Sequence, residues 1–108
     1  MKIDISTDGA NKTVHILENL TQQTLNVNFF EMAQGRDLKK QGVQHLDISL
    51  AKVDRADTAG LAWLLNLKRD AKANGIDVLL HDMPSKLVDL ARLSGVETLL
   101  EAEHNNDK

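Results

Sequence analysis

Asp57-Thr58-Ala59-Gly60 places a carboxylate, a hydroxyl and a glycine directly ahead of the apolar run Leu61-Ala62-Trp63-Leu64-Leu65. An acid and a hydroxyl before an amphipathic run mark a helix N-terminus. There, one side-chain oxygen accepts from an orphan first-turn N–H, contributing about 1 kcal/mol. The same position suits display: a hydroxyl at the first turn can be read by a partner protein or a kinase, and a phosphate placed on it would meet the positive end of the helix dipole. The capping and display roles of Asp57 and Thr58 are compatible, and both stay open.

A second group that could do chemistry is Asp54, Asp57, His81 and Asp82. These could meet near the C-terminal edge of a parallel sheet, where open α/β folds bind ligands. Such acids also serve as ordinary turn and cap residues. No glycine pair has the spacing of a phosphate loop, and His15, His45, His81 and His104 form neither a helical pair nor an i, i+2 ligand pair. The expectation is a chain without catalytic residues, metal or cofactor, with a small hydrolase built on Asp54, Asp57 and His81 as the remote enzymatic alternative.

The elements that must position these residues follow from periodicity. Ile3 and Ile5, then Val14 and Ile16, alternate with polar neighbours around Asp8-Gly9, which predicts a hairpin. Leu25, Phe29, Met32 and Ala33 fall on one helical stripe, predicting a first helix entered through Thr21 to Thr24, with Gly35 against it and a break at Lys39-Lys40-Gln41-Gly42. Leu46, Ile48 and Leu50 predict a strand whose other face is unusually polar, with Asp47 or Ser49 bonding loop backbone at its end.

The main helix runs from about Thr58 to Asn74, with Gly75 as a left-handed cap, and buries Leu61, Leu64, Leu67 and Ala71. Trp63 falls on its flank, as a lid over the core edge or as an exposed interface anchor. Ile76, Val78 and Leu80 form a further strand. Pro84-Ser85 opens a third helix ending at Gly95, with Leu87, Leu90 and Ala91 inward, after which Val96, Leu99 and Leu100 pack back. Strand, helix, strand, helix with short connections requires a parallel pair and a right-handed crossover, so the chain is α/β with a mixed sheet, an N-terminal hairpin and helices mainly on one face.

The 108 residues, 42% of them apolar and 3% aromatic, suit one domain over residues 1–100 with an aliphatic core. Glu101 to Lys108 reads as a polar, disordered tail. A net charge of −3 excludes a non-specific nucleic-acid binder, which needs a basic stripe. The chain holds no cysteine, which excludes disulfides and thiolate chemistry and fits a reducing compartment. Asp4 interrupts any leader, and no apolar run approaches a membrane span, so the expectation is a cytoplasmic protein without direct membrane insertion, possible at a membrane only through a partner.

With the strand Leu46-Asp47-Ile48-Ser49 before it, and Asn74-Gly75, a strand and Leu90-Ala91-Arg92-Leu93-Ser94-Gly95-Val96 after it, Asp57-Thr58-Ala59-Gly60-Leu61 resembles the STAS domain shared by anti-sigma-factor antagonists and sulphate transporters. The likeness runs from about Leu46 to Leu100. It implies a non-enzymatic protein-binding module whose partner surface includes Asp57, Thr58, Ala59, Gly60 and Trp63, with Thr58 at the family's phosphorylatable position. Within the family, Asp-Thr-Ala-Gly-Leu-Ala followed by Leu-Leu is most similar to the small cytoplasmic subunits that contact the ABC transporter ATPase of phospholipid-transport complexes. The alternative partner is an anti-sigma factor or its switch kinase. Ala59 stands where those antagonists usually carry a second Ser, and Glu18 or Asn19 where they tend to have Gly.

Overall fold

The computed structural model describes residues 1–9, 11–25 and 27–101. Strands β1 (Ile3–Asp8) and β2 (Asn11–Ile16) form an antiparallel hairpin, with Ile3 opposite Ile16 and Asp8 opposite Asn11. Strand β3 (His45–Ser49) pairs parallel with β2, and β4 (Asp77–His81) pairs parallel with β3, giving a mixed sheet in the order β1-β2-β3-β4. Helices α1 (Ala33–Lys40), α2 (Thr58–Ala73), α3 (Ser85–Leu93) and α4 (Glu97–Glu101), with a turn of 3-10 helix at Phe29–Glu31, complete the described elements.

Period-2 alternation decides which face the helices cover. Val14, Ile16, Leu46, Ile48, Val78 and Leu80 are all buried beneath Leu61, Leu64, Leu67 and Ala71 of α2 and Leu87 and Ala91 of α3. The residues between them, including Asp4, Ser6, Thr13, His15, Asp47, Ser49, Leu79 and His81, lie on the opposite, polar face. α2 ends as its sequence requires: Asn74 is the C-cap, Gly75 takes φ +72, and the Ile76 N–H returns to the Ala71 carbonyl at 2.8 Å.

The polar side of β3 is satisfied differently from expectation. One Asp47 oxygen sits 2.8 Å from His81 Nε2 and 3.1 Å from His45 Nε2, so Asp47 joins two neighbouring imidazoles instead of loop backbone. Burial pushes the Asp47 carboxyl up, but these hydrogen bonds and the histidine charges outweigh it and hold the group below the ordinary carboxylate range. Ser49 Oγ does meet a loop amide, that of Ala51, at 3.5 Å, the outer limit of a hydrogen bond.

The first helix also departs from the predicted stripe. Thr21 to Thr24 form a tight turn, Phe29–Glu31 one turn of 3-10 helix, and α1 begins only at Ala33. Two local signals override the period: the Glu31 carboxylate reaches back to the Asn28 N–H at 3.1 Å, and Met32 is extended, with ψ 154°, which separates the two helical pieces. Gly35 is needed for their packing, because a β-carbon there would lie 2.1 Å from the Phe29 carbonyl oxygen. At the other end, α4 turns Leu100 inward at 2% exposure and leaves Leu99 58% exposed, so only part of the expected C-terminal trio packs back. Glu101 closes α4, and the remainder of the expected tail lies outside the described residues.

Candidate functional site

The N-terminus of α2 is built by two loops that meet at the C-terminal edge of the sheet. After β2 the chain forms an isolated parallel bridge between Leu20 and Ala56, closed by Leu20 N–H to Arg55 O at 2.9 Å and Asp57 N–H to Leu20 O at 3.1 Å. Asn19 reinforces it, its side-chain oxygen accepting from the backbone N–H of Asp54 at 3.3 Å and of Arg55 at 3.0 Å. The two loops thus behave as one short extension of the sheet.

Asp57 joins that extension to the helix. It is the N-cap, with extended backbone, and its Oδ1 accepts from the Gly60 N–H at 3.1 Å while Oδ2 accepts from the Gln22 N–H at 3.0 Å. The Gln22 amide is the main influence on its acidity, aided by the Gly60 and Ala59 amides. Together they hold the Asp57 carboxyl below the ordinary range against the opposing effect of burial. Asp57 is therefore the cap, which leaves Thr58 as the first helical residue, exposed, with its hydroxyl free of the capping duty.

Gly60 is buried, and a β-carbon there would stand 2.2 Å from the Leu20 carbonyl oxygen and 2.8 Å from Leu20 Cβ. The glycine of the Asp-Thr-Ala-Gly element thus permits close approach of helix to loop. Trp63 is only 4% exposed, so the lid reading holds and the exposed-anchor reading does not. Its indole N–H donates to the Val27 carbonyl at 2.8 Å, and its ring meets Phe29 edge-on with centroids 6.4 Å apart. An aromatic ring with a satisfied donor is better used pinning the residues around Val27 to α2 than standing in water. What stays accessible beside Thr58 is a shallow groove of about 240 Å³, lined by Ala59, Ala62, the edge of Trp63, Asn66, Val27 and Asn28.

The acidic cluster proposed from sequence does not assemble. His81 turns to Asp47 on the open face of the sheet, whereas Asp57 is occupied with the Gln22 and Gly60 amides. Among the described residues no group of His, Asp or Glu is arranged to hold a metal ion. Sequence reasoning missed Asn19 and Gln22. An Asn directly after a strand is a recognisable turn residue, but nothing in the sequence says that its amide oxygen serves a loop 35 residues away.

A family model described as "Mlab, STAS domain" matches residues 3–101, and the chain belongs to that family, the MlaB-like STAS domains. No curated protein matches it. Among solved structures, a crystal structure of Mglu is similar at 20% identity with a TM-score of 0.53, a likeness that bears on fold alone. That match covers 74% of this chain and 19% of the Mglu chain, so this chain spans under a fifth of that protein's length. No described helix is long and apolar enough to cross a membrane.

Proposed function

We propose that this chain is a non-enzymatic subunit that docks through the N-terminal end of α2 onto the ATPase of a phospholipid-transporting ABC complex, and so supports maintenance of outer-membrane lipid asymmetry from the cytoplasmic side. In this reading residues 1–100 act as one protein-binding domain, peripheral to the inner membrane only through its partner. The observation that carries the reading is Thr58: an exposed hydroxyl relieved of capping by Asp57, set beside a shallow groove of mixed polarity in an MlaB-like chain. Ala59, Ala62 and Asn66 extend that surface along the helix, while Asp57, Gly60 and Trp63 shape it from beneath.

The test separates folding from binding at one residue. Thr58→Asp leaves the Asp57 cap in place and adds charge at the positive end of the dipole, so the free domain should change in stability by no more than about 1 kcal/mol. Beneath a closely packed partner that charge is desolvated without a matching cation, at a cost of about 2 kcal/mol or more, roughly a thirtyfold loss of affinity. Thermal melts and titrations of Thr58→Asp and Thr58→Ala against the ATPase captured from lysate provide both readouts. Unchanged affinity for both variants would remove this surface from the interface, and capture of a switch kinase in place of an ATPase would favour the sigma-pathway alternative.

A further inference from the structure

β4 is an edge strand: it pairs with β3 on one side, and no described strand lies on the other. Its backbone direction is fixed by two bonds at its ends. The Asp77 N–H goes to the Gln44 carbonyl at 2.9 Å, and the His81 carbonyl receives the Leu50 N–H at 2.9 Å. Residues 77, 79 and 81 therefore turn their peptide groups toward β3, and Val78 and Leu80 turn theirs outward. The strand carries no bulge and no proline, and lysine, the commonest edge guard, is absent from it. Its three central residues are aliphatic, with Val78 and Leu80 buried on the helix-covered face and Leu79 half-buried on the open one.

The sequence of β4, Asp-Val-Leu-Leu-His, is complementary to itself when reversed. A twofold axis through Leu79 would set a second copy antiparallel, with Asp77 opposite His81 of that copy at both ends, Val78 opposite Leu80, and Leu79 opposite Leu79. The backbone parity agrees. Val78 and Leu80, whose N–H and C=O groups point outward, would form the hydrogen-bonded pairs, and Leu79 would form the central non-hydrogen-bonded pair. On the helix-covered face Val78 would adjoin Leu80, extending the apolar layer. On the open face an acid would stand across from an imidazole, a favourable cross-strand pair.

We propose that β4 is a self-association surface, on which a second copy of this chain adds its own β4 antiparallel about Leu79 to make one continuous sheet across two protomers. The contact is isologous, so it closes at two copies and leaves the N-terminus of α2 on each protomer free for another partner. It does not depend on the docking role assigned to Thr58.

Cross-linking tests the register directly. The chain contains no cysteine, so Leu79→Cys introduces a single thiol. In the proposed pair the two position-79 α-carbons would be about 4.5 Å apart, within the roughly 4.4–6.8 Å that a disulfide spans. Under mild oxidation Leu79→Cys should form covalent dimer about tenfold or more faster than Asp89→Cys, an exposed control on α3. The unmodified chain supplies a second readout: exchange of the Val78 and Leu80 amide protons should slow as concentration rises, and should not do so in Leu79→Lys, which sets two ammonium groups face to face across the axis. Dimer formation by Leu79→Cys no faster than by the control, with concentration-independent exchange at Val78 and Leu80, would overturn the proposal. Protection of those amides only on adding a different protein would also overturn it, and would assign the edge to a partner's strand.

Discussion

Replacing Gly60 by Ala should destabilise the domain, although alanine is the better helix former by about 1 kcal/mol. The added β-carbon would stand 2.2 Å from the Leu20 carbonyl oxygen, far inside a carbon–oxygen contact, and the atom it strikes is backbone. That carbonyl is also the acceptor of the Asp57 N–H, so the helix end cannot retreat without lengthening the bonds that define it. A retreat of about 1 Å takes Leu20 N to Arg55 O, Asp57 N to Leu20 O and Gln22 N to Asp57 Oδ2 from their present 2.9, 3.1 and 3.0 Å beyond hydrogen-bonding range. At about 0.5–1.5 kcal/mol net for each of the three bonds, less the propensity gain of about 1 kcal/mol, the loss comes to roughly 0.5–3.5 kcal/mol. Urea unfolding should show a lower midpoint with an unchanged slope, and the melting temperature should fall by about 4–8 °C per kcal/mol. A Gly60→Ala protein as stable as the parent, or more so, would refute the argument that this glycine exists for close approach.

Asp57→Asn tests the acidity of the cap. Because the folded-state carboxyl lies below its unfolded value, its contribution is fully present above the ordinary carboxylate range and is lost as pH falls through the lower folded value. The parent's stability advantage over Asp57→Asn should therefore be constant near neutrality and shrink below about pH 4, and an advantage that grew on acidification would contradict this sign. Trp63→Ala removes a ring 4% exposed and leaves the Val27 carbonyl without its indole donor, so it should cost the free domain about 3–5 kcal/mol in chemical denaturation. A loss below about 1 kcal/mol would mean that Trp63 is not part of the core.

The second half of the chain was legible because each of its signals is local and they agree. Alternation in Leu46 to Leu50 and Ile76 to Leu80, the acid and hydroxyl before Gly60, and the Asn74-Gly75 stop each specify one boundary of an α/β unit. Residues between Leu20 and Ala33 were harder, since Leu25, Phe29, Met32 and Ala33 satisfy a helical period although the described residues there include a turn at Thr21 to Thr24 and a 3-10 segment at Phe29–Glu31. Periodicity cannot register the extended Met32 that divides the stripe. Trp63 was ambiguous for a related reason: its place on the wheel depends on what lies across from it, and the segment holding Val27 comes from 36 residues earlier. The acidic cluster failed because facing is set by strand parity, which sends His81 to the open side of the sheet, away from Asp57.

In the proposed docking role, the bridge between Leu20 and Ala56, with Asn19 and Asp57 bonded across it, sets the entropy cost of recognising this helix end. A surface made of unfastened loops must be frozen at the moment of encounter, at about 0.5–1.5 kcal/mol for each rotamer-rich side chain immobilised, and such ordering is charged against affinity. Here the backbone of both loops is already fixed by intramolecular bonds of 2.9–3.3 Å. The entropy loss therefore belongs to folding and not to association. A partner docking here as proposed would meet a shape that stands ready, so binding should proceed as near rigid-body docking, with backbone shifts within about 1 Å and affinity differences among surface variants expressed chiefly in dissociation rates.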